Sequence, residues 1–200
     1  MCLKRTNRPS SYLHRKTQRI GRGEIECDLE FLGLIVLENR IKAKTKPVIR
    51  QLQGANLRTV MVTGDHIQTA VSVAKECQMV DRPVVFVTAK GRDSTGGPIV
   101  TFRRENGKGN KFLMESNQSF DCGPDYQFAL DGPTYEAVRN HDPDLNRKLV
   151  CRGAVFARMS PTHKELLVGD LIQLGYYVGM CGDGANDCGA LKVIVLLSYF

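Results

Sequence analysis

Three apolar runs separated by two helical spacings constrain this chain more than any other feature of its 200 residues. "FLGLIVLEN" (Phe31–Asn39), "LRTVMVTGD" (Leu57–Asp65) and "PVVFVTA" (Pro83–Ala89) read as strands buried on both faces. Between the first two, "KTKPVIRQLQGA" sets Val48, Ile49 and Leu52 on one side of a helix, with Pro47 in its first turn and Gly54 at its end. Between the second and third, "HIQTAVSVAKECQMV" sets Ile67, Ala70, Val71, Ala74 and Cys77 in a helical stripe. Buried strands alternating with helices predict a parallel sheet in an α/β fold.

The alternation breaks over residues 90–124. "GRDSTGGP" and "ENGKGN" are turn-rich, and the residues between them alternate as in a hairpin, which predicts a surface insertion. "NGKGNK" lacks the spacing of a phosphate-binding P-loop and reads as a charged turn. The pattern resumes with "YQFALDG" as a strand, "PTYEAVRNH" as a helix and "GAVFARM" as a strand. In "SPTHKELLVGDLIQLG", Ser160 is placed to cap a helix with Pro161 at its first position. "YYVGMCGDG" is predicted to be the last strand.

Charge placement separates the ends from the body. Seven of the 28 Lys and Arg residues lie in residues 1–23, which contain no acid; the remaining 21 balance the 21 Asp and Glu. The basicity belongs to an N-terminal arm, read as flexible and solvated, and no nucleic-acid partner is expected. Seven cysteines without a C-x-x-C pair read as reduced thiols rather than a disulfide or zinc framework. No apolar run approaches the length that spans a membrane.

Sites in open parallel sheets form at the C-terminal ends of the strands. Three polar signals fall there: Thr63–Asp65, Lys164, and "GDGAND" at Gly182–Asp187. Singly, each has a plain structural reading. Asp65 would cap the following helix, Lys164 would be a solvated lysine, and Asp183 and Asp187 would be turn and cap residues. Together they equip phosphoryl transfer. Two carboxylates among glycines suit a hard cation such as Mg²⁺. A threonine hydroxyl beside backbone N–H groups suits phosphate oxygens, and a lysine adds positive charge.

"MVTGDHIQTAVSVA", "FARMSPTHKELLV" and "GMCGDGANDCGALK" resemble the phosphorylation domain of P-type ATPases, of the haloacid dehalogenase superfamily, over Glu24 to Lys192. "FLGLIVLENRIK" and "CGDGANDCGALK" look most like the class-five B subgroup, associated with polyamine or cation transport and with endosomal and lysosomal membranes. The resemblance implies a haloacid dehalogenase-like Rossmannoid sheet flanked by helices. It implies Mg²⁺ binding by Asp183, with Asp187 as ligand or support. Asn186 would contact the phosphoryl group, Thr63 and Gly64 would bind its oxygens, Asp65 would order that loop and Lys164 would neutralise its charge. Asn39 and Lys42 match the hinge and Arg158 the nucleotide side, with ATP as phosphoryl donor. The hinge departs from the subgroup's pattern at Ala43 and Lys44.

The D-K-T-G-T sequence that carries the phosphorylated aspartate of such pumps does not occur here. By the resemblance it would precede Met1, and the nucleotide-binding, actuator and membrane domains would be the chain's missing partners. The expectation is therefore a pump fragment, cytosolic by itself and inactive alone. Residues 24–192 form its domain and residues 193–200 a divergent tail that stays exposed or pairs with another chain. The alternatives are a stand-alone phosphatase of the same superfamily, for which "FLGLIVLEN" supplies no D-x-D nucleophile, and a non-catalytic truncated product.

Overall fold

The computed structural model describes residues 2–5, 23, 26–35, 40–92, 96–105, 111–114, 126–182 and 187–193. The chain divides into two compact units, Met1–Ile41 and Lys42–Phe200. In the first, β1 (Cys2–Arg5) pairs antiparallel with β2 (Leu29–Gly33).

The first predicted strand is corrected by this pairing. The run containing Phe31–Ile35 was expected inside the parallel sheet. Instead Phe31, Leu32, Leu34 and Ile35 are 60%, 55%, 71% and 65% exposed. Its described partner is the four-residue β1, and a two-stranded ribbon covers neither of its own faces.

The second unit runs α1 (Thr45–Gly54), β3 (Met61–Val62), α2 (Ile67–Glu76), β4 (Val84–Arg92), β5 (Pro98–Arg104), β6 (Lys111–Met114), β7 (Gln127–Asp131), α3 (Gly132–His141), α4 (Pro143–Arg152), β8 (Gly153–Ala157), α5 (Pro161–Gln173) and α6 (Cys188–Val193). Its six-stranded sheet has the order β3-β8-β7-β4-β5-β6. β3, β8, β7 and β4 run parallel, and β5 and β6 extend the sheet antiparallel. The expected α/β class holds, with a mostly parallel sheet flanked by helices, consistent with a haloacid dehalogenase-like Rossmannoid fold. The predicted insertion supplies β5 and β6, so its hairpin lengthens the sheet.

Alternate residues of the central strands enter opposite cores. Val85, Val87, Phe128, Leu130 and Phe156 pack with Tyr135, Val138, Leu149, Val150 and Leu167 from α3, α4 and α5. Val84, Phe86, Ala129 and Val155 face Ala70, Val71 and Ala74 of α2. Small residues on that side, including Ala154 and Ala157, let α2 approach closely. Leu130 and Phe156 are fully buried, each worth roughly 1.5–3 kcal/mol relative to exposure.

The helix starts follow local chemistry. Asp131 caps α3 and Asp142 caps α4, each accepting an N–H three residues on, and each helix has a proline in its first turn. α4 was not foreseen, although "DPDL" carries that signature. At the other end of α4, Arg58 donates to the carbonyls of Val150 and Gly153 at 2.7 and 2.8 Å. Asp170 of α5 joins three helices: it accepts from Tyr135 Oη at 2.7 Å, Arg139 Nε at 3.1 Å and Asn146 Nδ2 at 3.0 Å.

The last predicted strand is a second correction. Tyr176–Gly182 belong to no strand. Val178 and Met180 still pack with Val168, Ile172, Ala190 and Val193, while Tyr177 is 92% exposed, so the two-residue alternation survives without a ladder. The physical reason is pairing: no described strand bonds to this segment, and the parallel edge of the sheet, β3, is only two residues long. Val193 closes α6; residues 194–200 of the expected tail lie outside the described residues.

Candidate functional site

The parallel strands β3, β7 and β8 end at Val62, Asp131 and Ala157, and the residues that follow form one connected edge. Thr63 N–H donates to the Phe156 carbonyl at 2.9 Å, and Met159 N–H donates to the Thr63 carbonyl at 2.9 Å. Arg158 N–H donates to the Asp65 carbonyl at 3.0 Å. The Thr63 hydroxyl accepts from Asp65 N–H at 3.1 Å, which folds the loop onto itself. Two loops far apart in sequence are thereby stitched by backbone. The plain reading of Asp65 as helix cap is corrected: His66 caps α2, its Nδ1 accepting from Gln68 N–H at 3.3 Å.

Arg158 sits at φ +47°, a left-handed conformation that costs a non-glycine residue about 1–2 kcal/mol. This conformation is matched by Gly132 at the start of α3. A Cβ there would lie 2.6 Å from the Arg158 carbonyl oxygen and would overlap His163 Nδ1.

From Arg158 the chain enters α5 through Ser160, and Lys164 lies in its first turn. The Lys164 ammonium stands 2.6 Å from Asp187 Oδ1, at the other end of the glycine-rich loop. Asp187 is 7% exposed. Its Oδ2 lies against Gly182: a Cβ at Gly182 would sit 2.5 Å from that oxygen. The two ends of the "GDGAND" stretch therefore touch, and only a glycine permits it.

Of the sequence-predicted residues, Thr63, Asp65 and Arg158 come together through backbone bonds, and Lys164 and Asp187 form an ion pair. Gly64 is exposed between Thr63 and Asp65. Lys42 is exposed ahead of α1, where its carbonyl accepts from Thr45 N–H at 2.9 Å. Asp183, Asn186 and Asn39 lie outside the described residues. The sequence reading missed Gly132 and His163. The signal for Gly132 was present in "LDGP", an aspartate and glycine at a strand end before a helix-starting proline.

Among the described residues no three His, Cys, Asp or Glu side chains come together as a metal site, and Asp187 supplies one carboxylate, the ligand type a hard cation takes. Asp187 is a nearly buried carboxylate whose Oδ1 meets the Lys164 ammonium and whose Oδ2 lies against Gly182.

No protein-family model matches the chain. Individual relatives do. The chain is 43% identical over 182 residues to the mouse (Mus musculus) protein "Probable cation-transporting ATPase 13A5", with 87% of this chain and 15% of that protein aligned. It is 42% identical over 183 residues to human (Homo sapiens) "Probable cation-transporting ATPase 13A4", covering 86% of this chain and 15% of the relative. The chain is a homologue of one segment of the ATPase 13A family. Mouse "Polyamine-transporting ATPase 13A3" is 39% identical over 192 residues, covering 88% of this chain and 16% of that protein. The chain thus spans about 15% of the length of the 13A ATPases it matches. Among the described residues no helix is long and apolar enough to cross a membrane.

Proposed function

We propose that this chain is the phosphoryl-handling part of a cation- or polyamine-transporting pump, acting on the aspartyl-phosphate intermediate of that pump. The observation that carries the reading is the Lys164–Asp187 ion pair, with Lys164 in the first turn of the helix that follows the Arg158 turn, itself bonded to the 63–65 loop.

In this reading Lys164 offers its charge to the phosphoryl oxygens, and the Thr63 hydroxyl and Gly64 N–H bind them. The 63–65 loop is preorganised for that task by its bonds to Phe156, Arg158 and Met159. Asn186 contacts the phosphoryl group. Asp183 and Asp187 would hold Mg²⁺, which supplies charge neutralisation at the phosphoryl oxygens when bound. Lys42, Asn39 and Arg158 serve the nucleotide side, with ATP as donor. The site works on the cytosolic face of an endosomal or lysosomal membrane, alongside nucleotide-binding, actuator and membrane domains.

The 200 residues contain no D-K-T-G-T, so the chain by itself is expected neither to hydrolyse ATP nor to form an acid-stable phosphoenzyme. Incubation with labelled ATP and Mg²⁺ followed by an acid gel checks this. A labelled band on the chain that is lost with hydroxylamine would overturn the reading and favour a stand-alone phosphatase.

A further inference from the structure

The first turn of α5 is closed by reciprocal bonds in which the third helical residue is a histidine. Ser160 Oγ accepts from His163 N–H at 3.1 Å, and His163 Nδ1 accepts from Ser160 N–H at 3.4 Å. That position in a capping box is ordinarily Glu or Gln. The other ring nitrogen, Nε2, lies 3.2 Å from Glu136 Oε2 on α3. The ring stands edge-on to Tyr135, 6.4 Å between centroids, and occupies the space left by the missing Cβ of Gly132. Its side chain is 14% exposed.

These contacts assign the tautomer. Accepting at Nδ1 requires a lone pair there, so the neutral ring carries its proton on Nε2 and donates it to Glu136. An imidazolium has no lone pair. Its Nδ1–H and the Ser160 N–H would be two donors facing each other, and the bond would be lost. The next residue along the helix is Lys164, whose ammonium meets Asp187.

We propose that His163 is a proton-sensitive positioning residue: neutral, it closes the first turn of α5 and holds Lys164 against Asp187; protonated, it releases that turn. The consequence for phosphoryl binding rests on the function proposed above; the clasp itself does not.

Among the described residues the charged and titratable groups around the ring are these. α3 presents Glu136, the Tyr135 phenol, which is committed to Asp170, and at its cap Asp131, which accepts from Thr134 N–H. The turn after β8 presents Arg158, and α5 itself presents Lys164. Glu136 is 57% exposed and attracts an imidazolium only through screened solvent. The N–H groups at the helix start oppose a positive ring. Neither interaction restores the lost acceptor at Nδ1.

The test uses the full chain with His163→Gln and His163→Ala. Imidazole ¹⁵N spectra read the tautomer, and hydrogen exchange reads the His163 and Lys164 amides. In the unsubstituted chain the Nε2–H tautomer is expected in neutral buffer, with amide protection falling about fivefold at the acid pH where the ¹⁵N spectrum shows the ring doubly protonated, after correction for intrinsic exchange. His163→Gln keeps an acceptor that does not titrate, so protection should persist at both pH values. His163→Ala should lack it at both, and its Lys164 amine should acylate about fivefold faster than in the Gln variant. An Nδ1–H tautomer, pH-independent protection in the unsubstituted chain, or failure of Gln to rescue overturns the proposal. These readouts require no phosphate, so they stand or fall separately from the phosphoryl-handling role. If His163→Ala does not fold, the pH series on the unsubstituted and Gln chains decides.

Discussion

Lys164 and Asp187 form an ion pair at 2.6 Å with side chains only 12% and 10% exposed. Little solvent screens either charge, so removing Asp187 leaves the Lys164 ammonium nearly buried without its carboxylate. Asp187→Ala is expected to destabilise the chain by about 3 kcal/mol, whereas Lys164→Met with Asp187→Leu should cost less than either change alone. Urea denaturation of the single and double variants measures the difference.

In an intact pump carrying this segment, Lys164→Ala should lower phosphoenzyme formation about a hundredfold, the usual effect of losing one charge contact to a transition state. Asp183→Asn should lower it comparably, and Asp93→Asn in the insertion should leave it near normal. Equal losses from all three would mean the site lies elsewhere.

Gly132→Ala tests the join between α3 and the turn after β8. The new methyl would meet the Arg158 carbonyl and the His163 ring, neither of which is a free chain end. A loss of about 2 kcal/mol is expected. Thermal melting gives the size, and a chemical-shift map should place the disturbance at Arg158–Lys164 as well as at α3.

Burial and the bond to Asp170 push the Tyr135 phenol well above its ordinary value of about 10, and burial also raises the Cys77 thiol. Above about pH 10 the unfolded tyrosine ionises while the folded one keeps its proton, so alkali favours unfolding. Stability from this source is complete below that pH and is lost as pH rises beyond it. Tyr135→Phe should cost about 1 kcal/mol at neutral pH and flatten the alkaline limb of a stability profile.

The exposed run at β2 predicts association. Phe31, Leu32, Leu34 and Ile35 form an apolar stretch that water meets directly. Leu34→Lys with Ile35→Lys should raise the monomeric fraction in light scattering after size exclusion. An unchanged fraction would show that the stretch does not drive association.

Much of the second unit was legible because each central strand is covered on both faces. Continuous apolar runs such as Val84–Val87 and Gly153–Ala157 have no other stable use, and Ser160–Pro161 mark a helix start by local hydrogen bonding alone. The failures share a cause. Phe31–Ile35 and Tyr176–Gly182 have strand composition, but a strand is made by its neighbours, and composition does not name them. Thr63, Lys164 and Asp187 were legible as candidates from residue type at strand ends, and Lys164 and Asp187 meet as an ion pair. Gly132 and His163 were not, because their roles are set by how closely two elements approach.

The pairing of β3 with β8 also sets an order of events in time. Val62 lies beside Phe156, 94 residues further on. At 5–20 residues per second of synthesis, the strand that leads into the Thr63 loop waits roughly 5–20 s for its partner to be made. Its ladder with β8 is two residue pairs long and is extended by loop bonds to Phe156, Arg158 and Met159, all made by partners on the far side of so long a loop. β4 and β5, joined by a short connection, can form first and recruit β7 and then β8. The 63–65 loop would then be among the last parts of the sheet to acquire its shape, and among the first to lose it when the chain is stressed.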